Sequence, residues 1–270
     1  MTSIVEDEGE DSTAAAGDEI LTDHRGKPVP PERIYLEEAS QYRPIVTGDI
    51  FRIDGIPGAT EEVNSNLIMV TSHPSGMRRG PALEEYVRVA PVVVDERLSA
   101  RKANVKIADL FALPRLKDFF YGEDCLAAGP WGVRVDRAAP IASSTLKLDH
   151  RRACLSGYGV ALLFQCIAFS DTRVLIREDT IEARLAPKLI EIEWLENWNE
   201  DLVKPRIEKG ADLEAALAAE AVEFDGVMTA DRGEARTLQT MINDLTALPP
   251  VEAERIMSAE LRLRRESTAA

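Results

Sequence analysis

Short apolar segments separated by turn-forming residues make the first half of the chain strand-rich. Residues 49–53 mix apolar and polar positions, and residues 67–70 form a continuous apolar run bounded by polar residues. Because a helix usually needs at least about 10 residues, a run this short predicts a strand buried on both faces. Residues 86–94 are rich in β-branched residues. Their alternation predicts that Arg88 faces away from the valines on either side of it.

The middle of the chain is less regular. Residues 95–130 are interpreted as a partly helical insertion that covers the core, with a helix that stops or restarts near Pro114. Short strands are predicted at residues 131–135 and 140–144. Residues 153–177 fit either a helix or a central strand, and periodicity alone does not decide between them, least of all over residues 156–170.

The last third has the pattern of amphipathic helices. Pro187 suits the first turn of a helix and is predicted to begin this region. Asp231 and Glu234 resemble a capping box at the start of a second helix, and residues 251–265 are predicted to form a third. The apolar stripe of the first helix, at spacings of four, consists of Ile190, Trp194, Trp198 and Leu202.

These patterns divide the chain into three regions. Residues 1–40 are predicted to be an acidic disordered tail and linker, with a short helix at residues 32–41. Residues 41–186 are predicted to form a β-barrel domain that carries the insertion at about residues 95–150. Residues 187–270 form the helical region, so the predicted fold class is α+β.

Composition narrows the class of protein. The 270 residues are 45% hydrophobic and 29% charged, as in ordinary soluble domains. No apolar window is long enough to span a bilayer, and the start of the chain lacks the features of a signal peptide, so a cytoplasmic protein without a membrane partner is predicted. The three cysteines, Cys125, Cys154 and Cys166, form no CxxC pair. They are interpreted as free thiols, and no metal or other cofactor is predicted.

The net charge of −15 opposes long-range attraction to nucleic acid, but the charge is unevenly distributed. Residues 1–20 contain no Lys or Arg, whereas residues 73–80 hold one histidine and two adjacent arginines between polar and glycine residues. The motifs of nucleotide-binding loops, serine hydrolases and zinc peptidases are absent from the sequence. A second mixed cluster at residues 149–152 is interpreted as a surface loop.

Three segments in fixed order carry a resemblance. Residues 48–50 read Gly-Asp-Ile, residues 67–72 form an apolar strand that ends in Thr-Ser, and residues 87–93 read Val-Arg-Val-Ala-Pro-Val-Val. This order resembles the MazF/PemK family of toxin endoribonucleases and implies their small SH3-like barrel. The resemblance also implies a later strand whose Gln, acid and Arg correspond to Gln165, Asp171 and Arg173.

The residues at the family's catalytic positions differ. Residues 64–66 read Asn-Ser-Asn where the family has an arginine, and Val93 or Val94 stands where it has Ser or Thr. RNA cleavage needs a base and a cation that stabilises the charged phosphorane. The candidates for a rebuilt catalytic site are His73, Arg78 and Arg79, and the candidate binding residues are Thr71, Ser72, Arg88, Gln165 and Arg173.

Three functions follow from these observations. The leading hypothesis is a non-catalytic barrel protein whose basic loop contacts an acidic partner, either RNA or another protein, with a homodimer formed through the helical region. The second is a metal-independent endoribonuclease related to the toxins. The third is a structural or assembly protein that works through its acidic tail and helices.

Overall fold

A mixed α+β architecture organises the chain, with one curled antiparallel sheet and several helices. Residues 1–20 of the predicted tail and the predicted capping box at Asp231 and Glu234 lie outside the described residues, whereas Leu21, Val29 and Ile34 in the predicted linker are buried. The computed structural model describes residues 21–23, 25–53, 66–79, 82–98, 109–122 and 126–229, together with residues 255, 256, 259, 260 and 263.

The main sheet has seven strands in the order β6-β7-β5-β2-β1-β9, and β8 pairs with β5 beside this path. A separate two-stranded ribbon joins β3 to β4. All of these pairings are antiparallel, and the main sheet curls into a half-barrel. The strands are β1 Asp49–Arg52, β2 Leu67–Val70, β3 Arg78–Arg79, β4 Ala82–Leu83, β5 Tyr86–Val94, β6 Leu110–Ala112, β7 Trp131–Arg134, β8 Ala139–Ala142 and β9 Arg151–Cys154.

The long strand β5 pairs with three other strands of the curled sheet. One of its edges pairs with β2, through Val89 to Pro91. The opposite edge pairs with β8 over Tyr86 to Val89 and then with β7 over Val92 to Val94. The partner on this edge therefore changes at Pro91, which has no N–H to donate.

Both faces of the sheet are covered by apolar side chains. In β2, Leu67 and Met69 enter a core shared with the helices, whereas Ile68 and Val70 enter a second core on the other face. All four residues are buried, which confirms the prediction of a strand buried on both faces. The first core is the larger, and it holds the inward residues of the helix Gly157–Thr172, which packs over this face.

Five helices are described. Ser156 begins α2, since its hydroxyl accepts a hydrogen bond of 3.0 Å from the N–H of Gly159. Helices α2 and α3 pack against each other, and α5 packs against the second half of α3. The helices are α1 Pro31–Ile34, α2 Gly157–Thr172, α3 Glu178–Leu202, α4 Lys204–Ile207 and α5 Leu213–Thr229.

Several sequence-based expectations need correction. Residues 157–172 are helical, which answers the question left open by periodicity and contradicts the strand that the resemblance implied at Gln165. The next helix begins at Glu178, nine residues before Pro187, because buried side chains such as Leu185 hold the chain helical on both sides of the proline.

Two shorter elements also differ from the sequence-based prediction. The helix expected before Pro114 is instead strand β6, whose three residues are buried in the larger core against β7. The short helix expected at residues 32–41 is one turn that ends at Ile34, after which Tyr35 pairs with Leu155 in an isolated bridge. In both cases pairing with a distant strand outweighs the local helical pattern.

Candidate functional site

The outer ends of β2 and β5 are fastened together by backbone hydrogen bonds. The N–H of Thr71 donates to the carbonyl of Arg88 at 2.8 Å, and the N–H of Arg88 donates to the hydroxyl of Ser72 at 2.6 Å. Thr47, which precedes β1, donates from its hydroxyl to the carbonyl of Ser72. The predicted binding residues Thr71, Ser72 and Arg88 therefore lie together on a rigid support.

His73 begins the turn that follows. Its carbonyl accepts hydrogen bonds from the N–H groups of Gly76 and Met77, at 2.9 and 3.1 Å. Its ring nitrogen Nδ1 lies 2.7 Å from the Ser75 hydroxyl and also accepts a bond from the Ser75 N–H. Because Nδ1 acts as an acceptor, the neutral imidazole carries its proton on Nε2 and can donate from that atom to a ligand.

One face of the His73 ring is covered by α2. The ring centroid lies 5.2 Å from that of Phe164, and the two rings are tilted by 49°. This partial burial lowers the pKa of His73 below its usual value of 6.5, because burial disfavours the charged form. His73 is therefore mostly neutral at pH 7.

Beside His73, β5 presents two large side chains to solvent. Tyr86 is 60% exposed, and Arg88 is also exposed, while Val87 and Val89 between and beyond them are buried. This confirms the predicted facing of Arg88. Among the described residues, no hydrogen bond or ion pair holds the Arg88 guanidinium. The alternation places Tyr86 and Arg88 on the same sheet face as the core under α2.

We group these side chains as the His73–Arg88 surface, because the Ser72 hydroxyl accepts from the Arg88 N–H, His73 follows Ser72, and the His73 ring contacts Phe164. It consists of Ser72, His73, Tyr86, Arg88 and Phe164. Cross-strand neighbours on β8 continue it, since Ala142 pairs with Tyr86 and the exposed Pro140 pairs with Arg88. The surface thus combines an exposed cation, an imidazole donor and an exposed aromatic ring.

Arg78 does not belong to this surface, contrary to the expectation of a solvent-exposed basic loop. Only 8% of the residue is exposed, and its Nε and Nη2 atoms donate to the carbonyl of Ile45 at 3.1 and 2.6 Å. Burial lowers the pKa of Arg78 to about 10, so it remains charged at pH 7. In this position Arg78 fastens the loop to the segment before β1 and cannot clamp a phosphate in solvent.

The other sequence-predicted residues are dispersed. Arg79 lies in β3 opposite Ala82, and its side chain is outside the described residues. Gln165 is fully buried and donates to the Glu178 carboxylate at 3.1 Å and to the carbonyl of Ile176. Arg173 ends α2 in the left-handed conformation, nine residues from Phe164, or about 14 Å along the helix. The structure therefore brings neither Gln165 nor Arg173 to the His73–Arg88 surface.

Two members of the surface escaped the sequence reasoning. Tyr86 is separated from Arg88 by one residue, so the alternation that predicted the facing of Arg88 also applies to Tyr86. No pattern in the sequence places Phe164 on this surface, because its contact with His73 depends on how α2 packs across the sheet.

A second polar cluster lies inside the protein. Arg151 in β9 and Asp49 in β1 form an ion pair of 3.3 Å, with side chains 3% and 0% exposed. Arg151 also donates to the carbonyls of Ser40 and Arg43, and Asp49 accepts from the N–H of Val46. The interpretation of residues 149–152 as a surface loop is therefore wrong for Arg151, which ties the segment before β1 to the sheet.

The cysteines that are described are poor candidates for reactive or metal-binding residues. Cys154 and Cys166 are buried thiols outside any disulfide, and burial raises the pKa of both, to about 12 for Cys166. The Cys154 sulfur lies 3.1 Å from the Tyr121 hydroxyl. Within the part of the chain that the structure describes, no group of three or more histidine, cysteine or acidic side chains could hold a metal ion.

Comparisons with known proteins leave the relationships of the chain open. No known family model matches the sequence, and no curated protein matches it significantly. The resemblance to the MazF/PemK toxins therefore stays a prediction. Among the described helices, none has both the length and the apolar character needed to cross a membrane.

Proposed function

We propose that the protein binds an acidic partner through the His73–Arg88 surface, and that single-stranded RNA is the first partner to test. The observation that carries the proposal is the exposed Arg88 guanidinium, which no described residue pairs, on a strand end fastened by the hydrogen bonds of Thr71 and Ser72. An unpaired guanidinium keeps its full charge for an anion, and because the backbone that carries it is already ordered, binding has to order only the side chain.

The neighbouring aromatic ring favours nucleic acid among acidic partners. Tyr86 is exposed beside Arg88, and base stacking on an aromatic side chain contributes about 1–3 kcal/mol per base. The sequence resemblance to MazF/PemK toxins supports the same choice. We extend it to the proposal that the half-barrel is an SH3-like domain of that type and that the protein acts in the cytoplasm.

We propose binding without RNA cleavage. The predicted nuclease site combines His73 with Arg78 and Arg79, but Arg78 is buried against Ile45. Arg88 is then the cation that remains beside His73, and we assign it to phosphate binding rather than to stabilising a charged phosphorane.

Fluorescence anisotropy with a labelled single-stranded RNA, measured over a series of salt concentrations, tests the proposal. Arg88→Ala should weaken binding and reduce the slope of log affinity against log salt by about one, as expected for one lost phosphate contact. Tyr86→Ala should weaken binding at all salt concentrations. Lys209→Ala, which removes one exposed positive charge from another part of the molecule, is the matched control.

The outcomes separate the three hypotheses. Equal binding by wild type and Arg88→Ala would refute the proposed surface. RNA fragments formed in the presence of EDTA, and lost in His73→Ala, would instead support the nuclease. A wild-type protein that binds neither RNA nor an acidic peptide would leave the structural role as the better interpretation.

A further inference from the structure

The turn that carries His73 has an exposed outer side and a buried inner side. We refer to residues 73–78 as the His73 turn. His73 and Ser75 are exposed. Pro74, Met77 and Arg78 are buried. Because the outer side supplies an imidazole to the His73–Arg88 surface, the contacts of the inner side determine where that imidazole lies.

Arg78 connects the inner side to the rest of the protein. Its Nε and Nη2 atoms donate to the carbonyl of Ile45 at 3.1 and 2.6 Å, and the planar guanidinium fixes the direction of both bonds. Burial lowers the pKa of Arg78, and the buried carboxylates of Asp49 in β1 and Glu191 in α3 partly offset this effect. The turn is therefore linked through one side chain to the segment before β1 and to charges on two other elements.

Met77 couples this connection to His73. The Met77 side chain is fully buried in the second core with Ile45, and its sulfur lies 3.6 Å from the Thr47 hydroxyl, which also donates to the carbonyl of Ser72. The N–H of Met77 donates to the carbonyl of His73 at 3.1 Å. A displacement of the inner side is therefore transmitted to His73 within a single hydrogen-bonded turn.

The outer side has weaker contacts. The bond between His73 Nδ1 and Ser75 lies inside the turn and moves with it. The contact of the His73 ring with Phe164, at 5.2 Å between centroids, comes from another element. One ring contact is weaker than two hydrogen bonds from a charged donor to a carbonyl, so the inner side determines whether the rings meet.

We propose that Arg78 is a positioning residue that holds the His73 imidazole against Phe164 on the His73–Arg88 surface. Arg78 acts through His73 and does not touch the ligand itself. The importance of this placement for RNA recognition rests on the proposed function, whereas the placement itself is tested without RNA.

An NMR pH titration of the imidazole protons tests the placement. The chain has three histidines, and the signal that is missing from His73→Asn assigns His73. In the wild type His73 should titrate below its usual pKa of 6.5, and Arg78→Met should raise this pKa toward 6.5, because the ring leaves Phe164 and gains solvent. The control is Phe224→Leu, which loosens the separate cluster around Trp198 and should leave the His73 titration unchanged.

RNA binding over a series of salt concentrations tests the consequence for recognition. Arg78→Met should weaken binding severalfold at every salt concentration and leave the slope of log affinity against log salt unchanged, because the buried Arg78 contacts no phosphate. Arg88→Ala should instead reduce the slope by about one. This difference separates a positioning arginine from a ligand-binding arginine.

Three results would overturn the proposal: a folded Arg78→Met with the wild-type pKa of His73, an equal shift in Phe224→Leu, or a salt slope that falls in Arg78→Met as much as in Arg88→Ala. A wild type that binds no RNA would refute the proposed function, and the titration would still decide the placement. If circular dichroism shows that Arg78→Met is unfolded, Arg78→Lys replaces it. Lysine keeps the charge but loses the two-donor fork, so the pKa of His73 should rise by a smaller amount.

Discussion

The Gly48-Asp49 dipeptide has a structural role in this fold. Gly48 has φ of +88°, and a Cβ at this position would lie 2.7 Å from the Leu155 Cβ, so glycine is required for both conformation and space. The turn places the Asp49 carboxylate inside the sheet, where it pairs with Arg151. The Gly-Asp motif on which part of the sequence resemblance rests thus has a local structural explanation.

Replacing Asp49 should strongly destabilise the protein. Asp49→Asn leaves the Arg151 guanidinium buried without its counter-charge, and breaking a buried pair in this way costs about 3–5 kcal/mol. Asp136→Asn breaks the partly exposed pair with Arg134 and should cost less than about 1 kcal/mol. Urea unfolding measures both changes, and equal losses for the two variants would contradict the assigned role of Asp49.

Helix α2 and the N-terminal segment approach each other most closely at Gly159. A Cβ there would lie 2.2 Å from the Ile34 carbonyl oxygen, which belongs to a backbone that cannot easily move. Gly159→Ala should therefore lower the free energy of unfolding by about 3 kcal/mol. Gly226→Ala, in α5 with open space around it, should raise stability by about 0.5–1 kcal/mol. Thermal melts that show no difference between the two variants would refute this packing.

For a single residue, the sequence predicts those properties that depend on neighbouring positions in the chain. The exposure of Arg88 follows from the alternation along β5. The burial of Arg78 depends on a carbonyl 33 residues earlier in the chain, and the contact of His73 with Phe164 depends on helix placement. No local pattern contains that information, so sequence reasoning reached Ser72, His73 and Arg88 but not the contact with Phe164 or the burial of Arg78.

In helix α3, packing keeps the chain helical across Pro187, although a proline in a helix interior locally disfavours a helix. Pro187 has no N–H, so the carbonyl of Ala183 one turn earlier cannot receive the usual helical bond. The helix nevertheless continues from Glu178 to Leu202. The sequence pattern correctly indicates a helix here but places its beginning at the proline, because proline is commonest in a first turn.

Removing this proline should stabilise the helix. Pro187→Ala restores a backbone donor in the interior of α3 and should raise the free energy of unfolding by up to about 3 kcal/mol. Pro205→Ala is the matched control, because Pro205 lies in the first turn of α4, where no such bond is missing. Differential scanning calorimetry compares the two, and a lower melting temperature for Pro187→Ala would contradict the expectation.

Over the whole molecule, the strands of the half-barrel were the most predictable part. The apolar runs at β2 and β5 are explained by two cores, one on each face of the sheet. The helical nature of α2 was not predictable in the same way, because a segment covered on nearly every side loses the polar positions that reveal periodicity. The curl of the sheet also depends on the division of the β5 edge between β8 and β7.

The partial burial of His73 couples global stability to pH. Its folded pKa is lower than the unfolded value of 6.5, so the unfolded state binds more protons as the pH falls below that value. The contribution of His73 is therefore complete above about pH 6.5 and decreases as the pH falls below it. Chemical denaturation between pH 5 and pH 8 should show a flatter dependence for His73→Asn than for wild type, and parallel curves would contradict this linkage.

The outer edge of β9 has a consequence for how copies of the protein can come together. The carbonyls of Cys154 and Arg152 already accept hydrogen bonds from the N–H groups of Leu36 and Tyr121, and Tyr35 bridges to Leu155. Loop backbone thus occupies the positions that an incoming strand would need. Growth of the sheet from one molecule into the next is blocked at this end, which protects the fold against amyloid-like stacking there and leaves side-chain surfaces to mediate recognition.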